Sequence, residues 1–118
     1  MLIQRVDSVL IFATDVARSV AWYRDVLGLP VRMHHGDFAV LDAGGVTLAL
    51  HGGLDAPPDP RAAQTMPVLG VADYAAAKAQ LEARGCTFTF ENQTPGAVFG
   101  TFSDPDGNPL QIIQRRSA

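Results

Sequence analysis

The sequence has a single cysteine, Cys86, so no disulfide can form within the chain. Between a helical stretch and an extended one, that residue reads as a small semi-buried side chain rather than a reactive thiol. Positive charge is also sparse. Lys and Arg number 9 against 12 Asp and Glu, a formal net charge of −3, and no basic cluster exceeds Arg115-Arg116. A nucleic-acid partner and an anionic membrane surface are therefore not expected. No apolar run is long enough for a membrane span, and no basic region followed by an apolar block opens the sequence, so the cytoplasm is the expected location. The sequence contains no GxxxxGK, HExxH, CxxC or nucleophile elbow, which removes the phosphate-loop, zincin, dithiol and serine-hydrolase chemistries.

What is present points to one folded domain of 118 residues, 47% of them hydrophobic. The segment Ser103-Asp104-Pro105-Asp106-Gly107-Asn108-Pro109 has the residues of a bulged type I turn. Asp104 suits the first position, Pro105 presets φ at the second, Asp106 tolerates the third, and Gly107 can take positive φ. Apolar alternation on both sides predicts a hairpin ending in Leu110 to Gln114, with Gln111 and Ile113 on one face and Leu110 and Ile112 on the other.

Read from the start, Val6 to Phe12 alternates as a strand, with Ser8, Leu10 and Phe12 on one face. Asp15 can cap a helix whose apolar stripe is Val16, Val20, Tyr23 and Leu27, ending at Gly28. Short strands are predicted at 31–34, 38–41 and 46–51, with Gly44-Gly45 as a hairpin turn. The segment 52–65 then gathers Pro57, Pro58 and Pro60 with Gly52, Gly53, Asp55 and Asp59, and reads as a linker. After it the order returns: a strand at 66–71, a helix from Ala72-Asp73 to Arg84 stopped by Gly85, a strand at 87–91 with Phe88 and Phe90 on one face, a turn at 93–96, and the final hairpin. The prediction is an α+β chain of two β-α-β-β-β modules, 1–51 and 66–118. Side by side, two such modules would curve a mixed sheet around a cleft, where small ligands bind. The exposed apolar surface of such a sheet predicts a homodimer.

At this point the chain resembles the vicinal oxygen chelate superfamily, also called the glyoxalase/bleomycin resistance/dioxygenase superfamily. Asp15 to Leu29, DVARSVAWYRDVLGL, is similar to the family's first helix, and Asp104 to Leu110, DPDGNPL, to its second hallmark; Val71-Ala72-Asp73 is a weaker third. The resemblance implies four inward-facing metal positions in the family's enzymes. They fall here on Ser8; on the strand after Gly44-Gly45, whose candidate face holds Thr47, Ala49 and His51; on Met66 or Pro67; and on Gln111, where the metal enzymes usually carry Glu. Only His51 and Gln111 keep a credible donor, fewer than the roughly three that a catalytic metal needs.

His34 and His35 are adjacent on a strand, so they point oppositely and make no two-histidine metal face. Trp22 and Tyr23 fit a helix-on-sheet core. Two readings of function follow. The first is a metal-free, cofactor-free binding protein for a small organic molecule, sequestering an antibiotic or aromatic metabolite in a dimer cleft. Its floor would hold Ser8, His51 and Gln111 as hydrogen-bonding groups among Leu10, Met66, Val68 and Ile113. The alternative is a lyase, isomerase or thiol transferase with an incomplete divalent-metal site, or with His51 acting as acid and base. An interaction domain without a small ligand is a third, lesser reading.

Overall fold

The computed structural model describes residues 6–53 and 65–116. Most of the expected linker, with Asp55, Asp59 and its three prolines, lies outside the described residues. The chain divides into two compact units, Met1–Pro58 and Asp59–Ala118, and among the described residues each carries one four-stranded sheet and one helix.

In the first unit β1 (Val9–Phe12), α1 (Val16–Asp25), β2 (Val31–His35), β3 (Phe38–Asp42) and β4 (Thr47–His51) follow one another. The sheet order is β1-β4-β3-β2, with β1 parallel to β4 and the other pairs antiparallel. The helix supplies the crossover that a parallel pair needs. Asp15 caps it by accepting from the Arg18 amide at 3.0 Å. The register of the β3–β4 hairpin is set by Gly44-Gly45, both at positive φ (70° and 96°), as the tightest hairpin turns require. Strand alternation then sends Ala39, Leu41, Leu48 and Leu50 toward α1, which returns Val16, Val20 and Tyr23; all seven are buried.

The second unit repeats the plan with β5 (Val68–Gly70), α2 (Tyr74–Ala83), β6 (Phe90–Thr94), β7 (Ala97–Ser103) and β8 (Pro109–Arg115). Its order, β5-β8-β7-β6, places the first strand of the module parallel beside the last, as in the first unit. Asp73 caps α2 through the Ala76 amide at 3.0 Å, and Gln114 reaches from β8 to accept from the Tyr74 amide at 2.8 Å. The core here is Tyr74, Leu81, Phe102, Leu110 and Ile112, with buried Cys86 at its edge. Burial pushes the Cys86 thiol up from its ordinary range, which keeps it protonated and unreactive.

The DPDG turn closes as its residues require: the Gly107 amide donates to the Asp104 carbonyl at 3.0 Å, with Gly107 at φ 82°. Asp104 does more than occupy a corner. Its buried carboxylate accepts from the amides of Asp106 (2.9 Å) and Asn108 (2.8 Å) and from the Asn108 side chain (2.8 Å), so the turn is held from inside.

Several elements are shorter than the sequence reading: β1 starts at Val9 rather than Val6, α1 ends at Asp25 rather than running through Leu27, and β5 is Val68–Gly70 rather than 66–71. One stretch shifts in register. The strand expected at 87–91 begins at Phe90 and runs to Thr94, and the turn narrows to Pro95-Gly96. Phe88 and Phe90 consequently separate. Phe88 packs on Tyr74 and Phe102 (ring centroids 6.4 and 5.1 Å), on the helix side, while Phe90 meets Phe99 (6.3 Å) on the opposite face. The ladder with β7 fixes Phe90 opposite Thr101, and Phe88, lying before the ladder, is placed by packing instead.

Candidate ligand-binding site

Of the residues singled out from sequence, the ladders put Leu10 and His51 on one face of the first sheet and Val68, Gln111 and Ile113 on one face of the second, while Ser8 and Met66 precede the strands. In the first unit they centre on His51. This residue ends β4, the strand between β1 and β3, so it has a neighbour on each side: Phe12, its parallel partner, and Phe38, its antiparallel partner. Both rings stand edge-on to the imidazole, with centroids at 6.4 and 6.2 Å and interplanar angles of 73° and 75°. Its carbonyl accepts from the Ala13 amide at 3.0 Å, which anchors the strand end. The ring is half-buried, and its Nδ1 is shut off from solvent without a hydrogen-bond partner. Leu10, on the same face of β1, is 47% exposed, and Ser8, half-buried, stands just before β1 in step with it.

In the second unit Val68 pairs with Gln111 across β5 and β8. The Gln111 amide nitrogen donates to Thr101 Oγ1 at 3.4 Å, and its backbone amide donates to the Pro67 carbonyl at 3.1 Å. Ile113 lies two residues on, opposite Phe99 of β7. Val68 is 49% and Phe90 52% exposed, while Met66, Gln111 and Ile113 are half-buried. This face is mostly apolar, with an amide and a hydroxyl at its middle. His34 and His35 are both exposed on β2 and pair with Ala39 and Phe38, on opposite faces.

The aromatic neighbours of His51 were only partly legible. Phe12 shares the parity of Ser8 and Leu10, and counting back from Gly44-Gly45 pairs Phe38 with His51. That count places Phe38, but not Phe12, beside the histidine. Nothing local reveals that β1 lies against β4, which is what completes the enclosure.

A second polar cluster sits on the helix side of β6. Tyr74 donates its hydroxyl to Glu91 at 3.0 Å, Lys78 pairs with the same carboxylate, and the Lys78 ammonium lies 5.7 Å from the centre of the Phe88 ring. Burial, and then the Glu91 carboxylate, push the Tyr74 phenol well above its usual range. Hydrogen bonds from Lys78 and Tyr74 hold the Glu91 carboxyl below its own. These groups satisfy one another and tie α2 to the sheet edge.

The metal positions that the resemblance implies do not fit a divalent metal. Ser8 offers a neutral hydroxyl and Met66 a soft thioether. Gln111 keeps its amide oxygen, because its contact with Thr101 uses the nitrogen, but with His51 that makes two neutral donors where a catalytic metal needs about three. Among the described residues no three His, Cys, Asp or Glu side chains come together as a metal-holding group.

A profile of the Glyoxalase/Bleomycin resistance protein/Dioxygenase superfamily matches residues 5–112, and the chain belongs to that superfamily. No curated protein matches the sequence. Solved structures similar to it include the antibiotic binding protein TnmS3 from Streptomyces sp. CB03234, with a TM-score of 0.79 and 24% identity over 98% of this chain and 99% of that one. A lactoylglutathione lyase from Agrobacterium tumefaciens aligns with a TM-score of 0.75 and 23% identity over 93% and 92% of the two chains. A glyoxalase/bleomycin resistance protein/dioxygenase from Nocardioides gives 0.76 and 20% over 100% and 88%. Likeness at these identities carries the fold and nothing finer.

Proposed function

We propose that the chain binds a partly apolar small organic molecule, such as an antibiotic or an aromatic metabolite, on the sheet faces away from its helices, with no metal at the superfamily's usual position. The observation that carries this is the surroundings of His51. A histidine flanked by two phenylalanines, and part of no described group of three metal-holding side chains, suits an apolar ligand that needs one polar contact to fix its orientation. The exposed Leu10 supplies further apolar surface on the same face of the first unit, and the second unit exposes Val68 and Phe90 on a face of its own. The fold shared with an antibiotic binding protein supports the same reading.

Thermal-shift screening against aromatic antibiotics tests it. A ligand that binds only the folded chain adds about 2.7 kcal/mol at a hundredfold excess over Kd, a rise in Tm of several degrees. His51→Ala should remove that shift while circular dichroism stays native. Stabilisation by divalent metals alone, with no organic compound active, would reverse the assignment.

A further inference from the structure

We infer that the His51 position takes a neutral, apolar molecule that presents a hydrogen-bond-accepting oxygen, such as a carbonyl, to the Nε2–H of the imidazole. The inference rests on the binding role proposed above and names the chemistry of the ligand.

The argument starts from the two ring nitrogens. A neutral imidazole carries one N–H, and the other nitrogen is an acceptor. Nδ1 is enclosed and meets no partner. A proton there would be a buried donor with nothing to receive it, which folded proteins tolerate less readily than a buried acceptor. The proton therefore belongs on Nε2, the nitrogen that a free neutral imidazole also prefers to protonate. Phe12 and Phe38 flank His51 with rings that offer no polar group. The position thus presents one donor between two apolar walls. A ligand with a lone pair in its plane satisfies that donor. A ligand that offers only donors, or a cation, does not.

Fluorenone and fluorene form a matched probe pair: the same three-ring plane, with and without a carbonyl. Their affinities for the full chain are to be measured by equilibrium dialysis. Wild type should hold fluorenone about tenfold more tightly than fluorene, or 1.4 kcal/mol. In His51→Phe, which keeps the aromatic surroundings, the ratio should fall to near unity. The carbonyl stretch of bound fluorenone should lie lower in wild type than in the variant. Equal binding of the two probes by wild type, or a carbonyl preference that survives in His51→Phe, would overturn the inference and leave the binding role standing. Binding of neither probe by folded protein would overturn both.

Discussion

Phe102→Ala is expected to destabilise the chain by about 3–5 kcal/mol, the range for emptying a large aromatic site in a core. Domains of this size have about 5–15 kcal/mol in total, so the variant should lose about a fifth or more of its stability. Phe102 is fully buried in β7, and its ring packs against Phe88 at 5.1 Å. Across the ladder it pairs with Leu110, also fully buried. The flanking strands are hydrogen-bonded to β7 on both sides, so the backbone cannot collapse into the space. Because the chain forms two compact units, urea unfolding can show two transitions. The loss should then fall on the one reporting the second unit, as a lower midpoint with little change in slope. A loss of under about 1 kcal/mol would mean that this site is not the core of its unit.

Gly100→Ala should cost about 3 kcal/mol, the upper end of the usual overpacking penalty. Gly100 lies on the helix side of β7, beside Phe102. A Cβ there would overlap the Tyr74 hydroxyl outright and stand 2.9 and 3.1 Å from two carbons of the Phe88 ring. Tyr74 cannot yield freely, because its hydroxyl donates to Glu91 and its ring is buried. Here the absence of a side chain is a space already filled by a neighbour, not a demand on backbone conformation. Tyr74→Phe removes the obstructing oxygen, so Gly100→Ala should cost measurably less in that background. The coupling in a double-mutant cycle should reach about 1 kcal/mol. Equal costs in the two backgrounds would place the strain elsewhere.

These sites show how far local chemistry reaches. Both caps, both glycine helix stops and the DPDG turn could be read directly, because each depends on residues within one turn of chain. The two modules followed from element order. The faces of Gln111 and His51 came from alternation, which holds inside a ladder. It failed at Phe88 and Phe90, where the ladder begins between them and packing on Tyr74 and Phe102 decides the first ring. The role of Gly100 could not be read from sequence, since the hydroxyl that fills its space comes from a helix 26 residues earlier. The enclosure of His51 was half legible: hairpin counting reaches Phe38, but the parallel pairing of β1 with β4 that brings in Phe12 is a long-range contact with no local signature.

The central claim is that this superfamily member works through an organic-ligand surface without the metal its enzyme relatives use. Metal analysis of dialysed protein, purified from cells grown with added zinc, nickel, iron and manganese, tests it most directly. With a hydroxyl at Ser8 and a thioether at Met66, the His51 nitrogen and the Gln111 amide oxygen remain, fewer than the roughly three donors a catalytic metal needs. The account predicts metal far below stoichiometric, unchanged in His51→Ala. Stoichiometric metal in the wild type, lost in His51→Ala or Gln111→Ala, would contradict it.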